Sequence, residues 1–131
     1  MLSSWTQFMP LLLEGARVTV ITAVLSSVLA LCIAFAAGIG RTSPVRIIRA
    51  GINVYVECFR GCSLLILLFW LYFALPFVGI ELPKLAAAVL AIGLNCGAYG
   101  AEIVRSAIAA VPQGQWEAAK ALNMSRWQAL R

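Results

Sequence analysis

Between Arg17 and Arg41 the chain runs for 23 residues without a charge. At roughly 1.5 Å of rise per helical residue, that run covers the hydrocarbon core of a bilayer, about 30 Å thick. Residues 18–40 are therefore predicted to form a transmembrane helix. Its few polar positions, Thr19, Thr22, Ser26 and Ser27, are hydroxyls that can bond back to helix carbonyls or across to a neighbour. Composition points the same way. Of 131 residues, 63% are hydrophobic and 11% charged, where a soluble domain carries roughly a quarter charged. An all-α membrane protein is expected.

Two further apolar runs follow. Residues 61–80 are rich in leucine and aromatics (Phe69, Trp70, Tyr72, Phe73, Phe77), and Pro76 near the end is placed to kink or stop a helix. Residues 85–104 hold many small residues, with Gly93, Gly97 and Gly100 on one helical face, a pattern that lets helices approach closely. Asn95 lies near the middle of this third span and Tyr99 one turn on. An amide at that depth reads first as a bond to another helix, and substrate contact is the sharper alternative. Residues 81–84 form a short outward loop around Pro83. Residues 1–17, with Trp5 and Phe8 beside Ser, Thr and Gln, suit the membrane interface. A cleaved signal peptide would want basic residues ahead of its apolar core, and none precedes Arg17.

Arginine fixes the orientation. Residues 41–60 carry Arg41, Arg46, Arg49 and Arg60 against one acid, Glu57, and read as a cytoplasmic loop. Eight of the ten basic residues fall in this loop or in residues 102–131. Three spans then put the N-terminus outside and the C-terminus inside. Glu57 and Arg60, and likewise Glu102 and Arg105, stand three apart and can pair on a helix face.

The sequence also excludes much. It has no histidine, the usual general base and metal ligand, and no Gly-x-x-x-x-Gly-Lys-Ser/Thr phosphate loop. No ATP hydrolysis, enzymatic site, cofactor or nucleic-acid contact is expected of this chain. Cys32, Cys58, Cys62 and Cys96 lack metal or redox spacing and read as small apolar filler.

Residues 105–131 are read as a cytoplasmic loop, and residues 113–131 within it are the one long polar segment. Trp116 to Leu122 are good helix formers with no β-branched residue. Asn123 is a fitting left-handed stop. Ser125 with Gln128 three residues on is a capping box that opens a second short helix. The run Gly114-Gln-Trp-Glu-Ala-Ala-Lys-Ala-Leu-Asn123 resembles the cytoplasmic Glu-Ala-Ala loop of ATP-binding-cassette importer permeases of the polar amino-acid type. Their pattern is Gly-Gln-x-Glu-Ala-Ala-x-Ala-Leu-Gly, and Asn123 replaces its final Gly. Two more segments are similar to the same family. Tyr55-Val-Glu-Cys-Phe-Arg-Gly-Cys-Ser-Leu-Leu follows Tyr-x-Glu-x-Phe-Arg-Gly-Thr-Pro-Leu-Leu, with Cys62 and Ser63 in place of Thr-Pro. Ala98-Tyr-Gly-Ala-Glu-Ile-Val-Arg follows Ala-Tyr-x-Ala-Glu-Ile-x-Arg.

The resemblance implies a type I importer permease in the bacterial inner membrane, coupled through this loop to a separate ATPase. Glu117, Ala118, Ala119 and Asn123 would form the coupling element. A second permease subunit, a solute-binding protein and membrane lipid are the other implied partners. Asn95 and Tyr99 are candidate path residues. The implied solutes are polar amino acids or, in related permeases, compatible solutes such as ectoine. Family members continue with further spans, so the chain reads as the front part of a permease. A non-transporting remnant or small membrane interaction protein is the competing expectation.

Overall fold

The computed structural model describes residues 2–125 and Gln128. Among them every regular element is helical. Helix α1 covers Leu2–Gly40, so the segment expected at the interface continues the first span as one helix. Pro10 sits inside it; proline removes one backbone donor, a loss a long helix tolerates. Thr19 and Thr22 donate their hydroxyls to the carbonyls of Gly15 and Val18 at 2.9 and 2.8 Å, the back-bonding expected of them. Helix α4 covers Lys84–Ala109, 26 residues, longer at its C-terminal end than the predicted span. By length and composition, Phe8–Gly40 and Lys84–Ala109 can each cross a membrane.

Small residues weld these two helices together. Ala87, Ala91, Ala98 and Ala101 of α4 are fully or almost fully buried. A Cβ added at Gly93 would meet Leu29 at 2.6 Å, one at Gly97 would meet Ile33 at 2.8 Å, and one at Gly100 would meet Ala34 at 2.6 Å. Gly38 of α1 returns the arrangement, since a Cβ there would lie 2.6 Å from Val104. The backbones therefore touch as closely as glycine allows. Partner numbers rise together along both helices, so α1 and α4 run parallel. Parallel helices require the chain between them to travel back to the starting end.

That return is bent. Residues 41–60, expected as a loop, are mostly a helix: α2 covers Arg46–Gly61. Its polar residues Arg46, Arg49, Asn53, Glu57 and Arg60 recur every three or four residues, which is helical amphipathicity. Val56 of α2 is buried against Ala37 and Ala101, with Ile52 and Tyr55 packed beside it. At Cys62 and Ser63 the backbone turns extended. Helix α3, Leu64–Phe69, then leads into a π-helical turn, Trp70–Ala74, and a 3₁₀ turn, Leu75–Val78. Pro76 lies in the 3₁₀ turn, and Gly79 closes it in the left-handed conformation at φ 84°. The predicted second span, residues 61–80, thus begins at a bend, and with α2 it makes either a broken span or a re-entrant loop. Arg46–Gly61 and Leu64–Val78 meet at 104° and qualify as a span only together. Leu68, Phe69, Tyr72 and Phe73 face Lys84, Ala87 and Ala88 across a 330 Å³ apolar groove, so this limb rises beside the first turns of α4.

All four cysteines are free thiols on the outer surface, not packing filler. Their apolar character suits a lipid-facing side as well as a core.

Candidate functional site

Three ends converge near Arg41. Its Nη1 donates to Glu102 Oε2, and its Nε donates to Asn53 Oδ1 at 2.7 Å. Arg105 grips the other oxygen of Glu102, with its Nε at 3.1 Å, and Arg60 Nη1 stands 3.5 Å from Oε2. One carboxylate thus ties the end of α1, the end of α2 and the last third of α4. The Arg41 and Glu102 side chains are 12% and 24% exposed, so this contact is shielded more than a surface pair. The Glu102–Arg105 pair expected from their spacing is present. Arg60 turns to Glu102 and Tyr99, and its expected pairing with Glu57 is absent among the described residues.

Asn95 and Tyr99 hold the bend. Asn95 is 8% exposed and donates its amide to the Phe59 carbonyl at 2.9 Å. The Tyr99 hydroxyl donates to the Arg60 carbonyl at 3.2 Å, and the Arg60 guanidinium lies 5.5 Å from the Tyr99 ring centre. The last carbonyls of a helix lack intrahelical donors. Here α4 supplies them, because the chain goes extended after Gly61. Tyr55 answers from α2, donating to the Leu94 carbonyl at 2.7 Å. The amide nitrogen of Asn95 is therefore committed to helix packing, the first of the two readings its position allowed.

A second, mainly apolar surface lies along α1. Thr19, Thr22, Ser26, Ser27, Ile92 and Cys96 line an open groove of about 490 Å³. Ser26 is 2% exposed, and its hydroxyl has no partner among the described residues.

The polar tail begins where proline ends α4. Pro112 cannot continue the helix, and after Ala110–Pro112 helix α5 covers Gln113–Ala121. Gly114, Glu117, Ala118 and Ala121 stand at i, i+3, i+4 and i+7, and all four are exposed. They form one face made of a carboxylate among small residues. Ala119 is half-buried on the opposite flank with Trp116. Of the expected coupling residues, Glu117 and Ala118 are therefore presented together, and Ala119 supports them from behind. Asn123 has φ 52°, the left-handed region. Met124 N–H donates to the Ala119 carbonyl and Asn123 N–H to Lys120, both at 3.0 Å. These two bonds are a Schellman closure, with asparagine in glycine's role. Ser125 N–H donates to Gln128 Oε1 at 2.9 Å and Gln128 N–H to Ser125 Oγ at 3.4 Å, a reciprocal capping box. The second helix expected after it lies outside the described residues.

Residues 30–131 match the family described as the binding-protein-dependent transport system inner membrane component. The chain belongs to that family. It is 46% identical over 132 residues to the "Probable amino-acid ABC transporter permease protein" of Sinorhizobium fredii, a match covering 96% of this chain and 56% of that protein. It is 39% identical over 124 residues to the glutamine transport system permease protein of Escherichia coli, covering 93% and 57%. To the L-cystine transport system permease protein of Bacillus subtilis it is 37% identical over 123 residues, covering 94% and 53%. The fold matches a crystal structure of an amino acid ABC transporter with histidines at a TM-score of 0.85 and 32% identity, covering 98% of this chain and 60% of that one. The chain spans about half the length of the curated relatives it matches. Of the polar residues described above, Asn53 is the one the sequence does not single out; Arg41 reads there as a topology signal only, and the bond expected of the Ser26 hydroxyl is absent among the described residues. Only the period of α2 hinted at Asn53.

Proposed function

We propose that the chain forms the membrane path of an ATP-driven importer for amino acids or related small polar solutes, seated in a bacterial inner membrane with three spans and its N-terminus outside. A separate ATPase supplies the energy, a second permease subunit completes the path, and a solute-binding protein delivers the cargo. The names of the three relatives favour amino acids over the ectoine group. The observation that carries the reading is the exposed face of α5. Gly114, Ala118 and Ala121 let a partner's backbone come close, Glu117 adds one charge, and the Schellman turn at Asn123 holds the helix end in a fixed shape.

Mechanically, α5 follows α4 after only three residues. Helix α4 is locked to α1 by glycine contacts and pinned at its end by the Arg41–Glu102 contact. A pull on α5 therefore moves α1 and α4 as one body, and such rigid-body motion is a common way to switch access.

The test is a cysteine cross-link. With the native cysteines replaced by serine, Ala118→Cys is co-expressed with an amino-acid-importer ATPase subunit from the same organism. A short bifunctional reagent should join the two chains, and adding Glu117→Arg should cut the yield by most of its value. No cross-link, with α5 still helical, would remove the coupling role.

A further inference from the structure

Helix α2 has more apolar surface than the protein covers. Its polar residues Arg46, Arg49, Asn53, Glu57 and Arg60 follow one face from end to end. The rest of its circumference is apolar. Ile52, Tyr55, Val56 and Phe59 pack toward α1 and α4. On the other flank Ile47 is 85% and Val54 61% exposed. The polar face is divided as well. Asn53 and Arg60 turn inward to Arg41 and Glu102. Arg46 and Arg49 are exposed and have no ion-pair partner among the described residues.

Orientation turns this into a surface of defined depth. The limb Leu64–Val78 returns beside α4, and α2 meets it at 104°. Ile52 lies against Gly40 and Asn53 bonds Arg41 at the last turn of α1, while Phe59 reaches Asn95 further along α4, so the stretch Arg46–Val54 of α2 sits where the first span leaves the hydrocarbon. Bare isoleucine and valine are unfavourable in water, and unpaired guanidinium groups are unfavourable in hydrocarbon. Only the boundary between headgroups and acyl chains satisfies both on one helix. The guanidinium pair is cationic, and a phosphate oxygen pair is the acceptor geometry it fits. We infer that the stretch Arg46–Val54 of α2 is an interfacial segment that binds anionic phospholipid, with Arg46 and Arg49 on the headgroup phosphates and Ile47 and Val54 among the upper acyl carbons. This rests on α2 alone and stands whatever the chain transports.

The whole chain, reconstituted in vesicles of equal phosphatidylglycerol and phosphatidylcholine, tests it with spin-labelled versions of either lipid. The motionally restricted population should favour phosphatidylglycerol by about fivefold at low salt. The preference should shrink with added salt and in Arg46→Gln/Arg49→Gln. Equal restriction of the two lipids, or a preference unchanged in the double variant, overturns the proposal. A second variant guards against misfolding of the first. Val54→Cys, with the native cysteines replaced by serine and a fluorophore attached, should be quenched by brominated acyl chains. Failure of that quenching overturns the proposal, and so does a Val54→Cys disulfide between two copies, which would give this flank to a second chain.

Discussion

Moving one methyl group across the α1–α4 contact tests the close approach of these helices. Gly100→Ala would place its Cβ 2.6 Å from Ala34 Cβ, well inside the optimum of about 3.5–4.0 Å. Neither methyl can rotate away, because the backbone fixes Cβ, so the helices must part by about 1 Å. Overpacking of this kind costs about 2 kcal/mol. Alanine's better helix propensity offsets about 1 kcal/mol of that, leaving a net loss of about 1 kcal/mol. Ala34→Gly alone should cost about 1 kcal/mol in propensity and about 0.5 kcal/mol in contacts. In the double variant the next atom, the Cα of residue 34, stands at 3.8 Å, an ordinary contact. It should match the parent within about 0.5 kcal/mol, where simple addition gives about 2.5 kcal/mol. Reversible SDS-driven unfolding in mixed micelles, followed by tryptophan fluorescence, reads all four chains. A double variant as weak as the summed singles would refute the parallel close-packed pair.

Gly51 offers the opposite sign: a Cβ there meets nothing within 4 Å, so Gly51→Ala should raise stability by about 0.5–1 kcal/mol in the same assay. Asn123→Ala should loosen the end of α5 by about 1 kcal/mol, and Asn123→Gly should match or tighten it; amide exchange at Met124 reports both. Asn95→Ala removes the donor to Phe59 and should cost about 1 kcal/mol, with Tyr99→Phe costing less because its bond is longer and more exposed. Glu102→Gln should lower the thermal midpoint more than Arg105→Gln does, since it also strands the shielded Arg41; an equal drop would deny the carboxylate its central place.

Features that depend on period or on one residue's conformational range were legible in the sequence. The uncharged run that became α1, the glycine face of α4 and the left-handed Asn123 are of this kind, as is the capping box at Ser125. Features that depend on distant partners were not. Arg41 and Glu102 are 61 residues apart, and only the folded chain brings the guanidinium to the carboxylate. Helix α2 was hidden for a different reason. Its arginines were weighed as topology signals, and their spacing as a helical face carried equal information. The bend followed from Cys62 and Ser63: with no proline to begin a new helix there, local signals did not mark where α3 starts.

Within the fifteen residues Leu64–Val78 the backbone changes from α to π to 3₁₀ hydrogen bonding. Each change of pattern breaks the regular ladder, and short π and 3₁₀ stretches often mark hinges. The α1–α4 pair has no comparable break, since every approach is closed by a small side chain and its end is tied by Glu102. Load applied through α5 therefore meets one stiff pair of helices with a compliant elbow beside it. Deformation goes to the compliant part, so any change of shape in this chain should be absorbed between Gly61 and Gly79 while the α1–α4 pair travels undistorted.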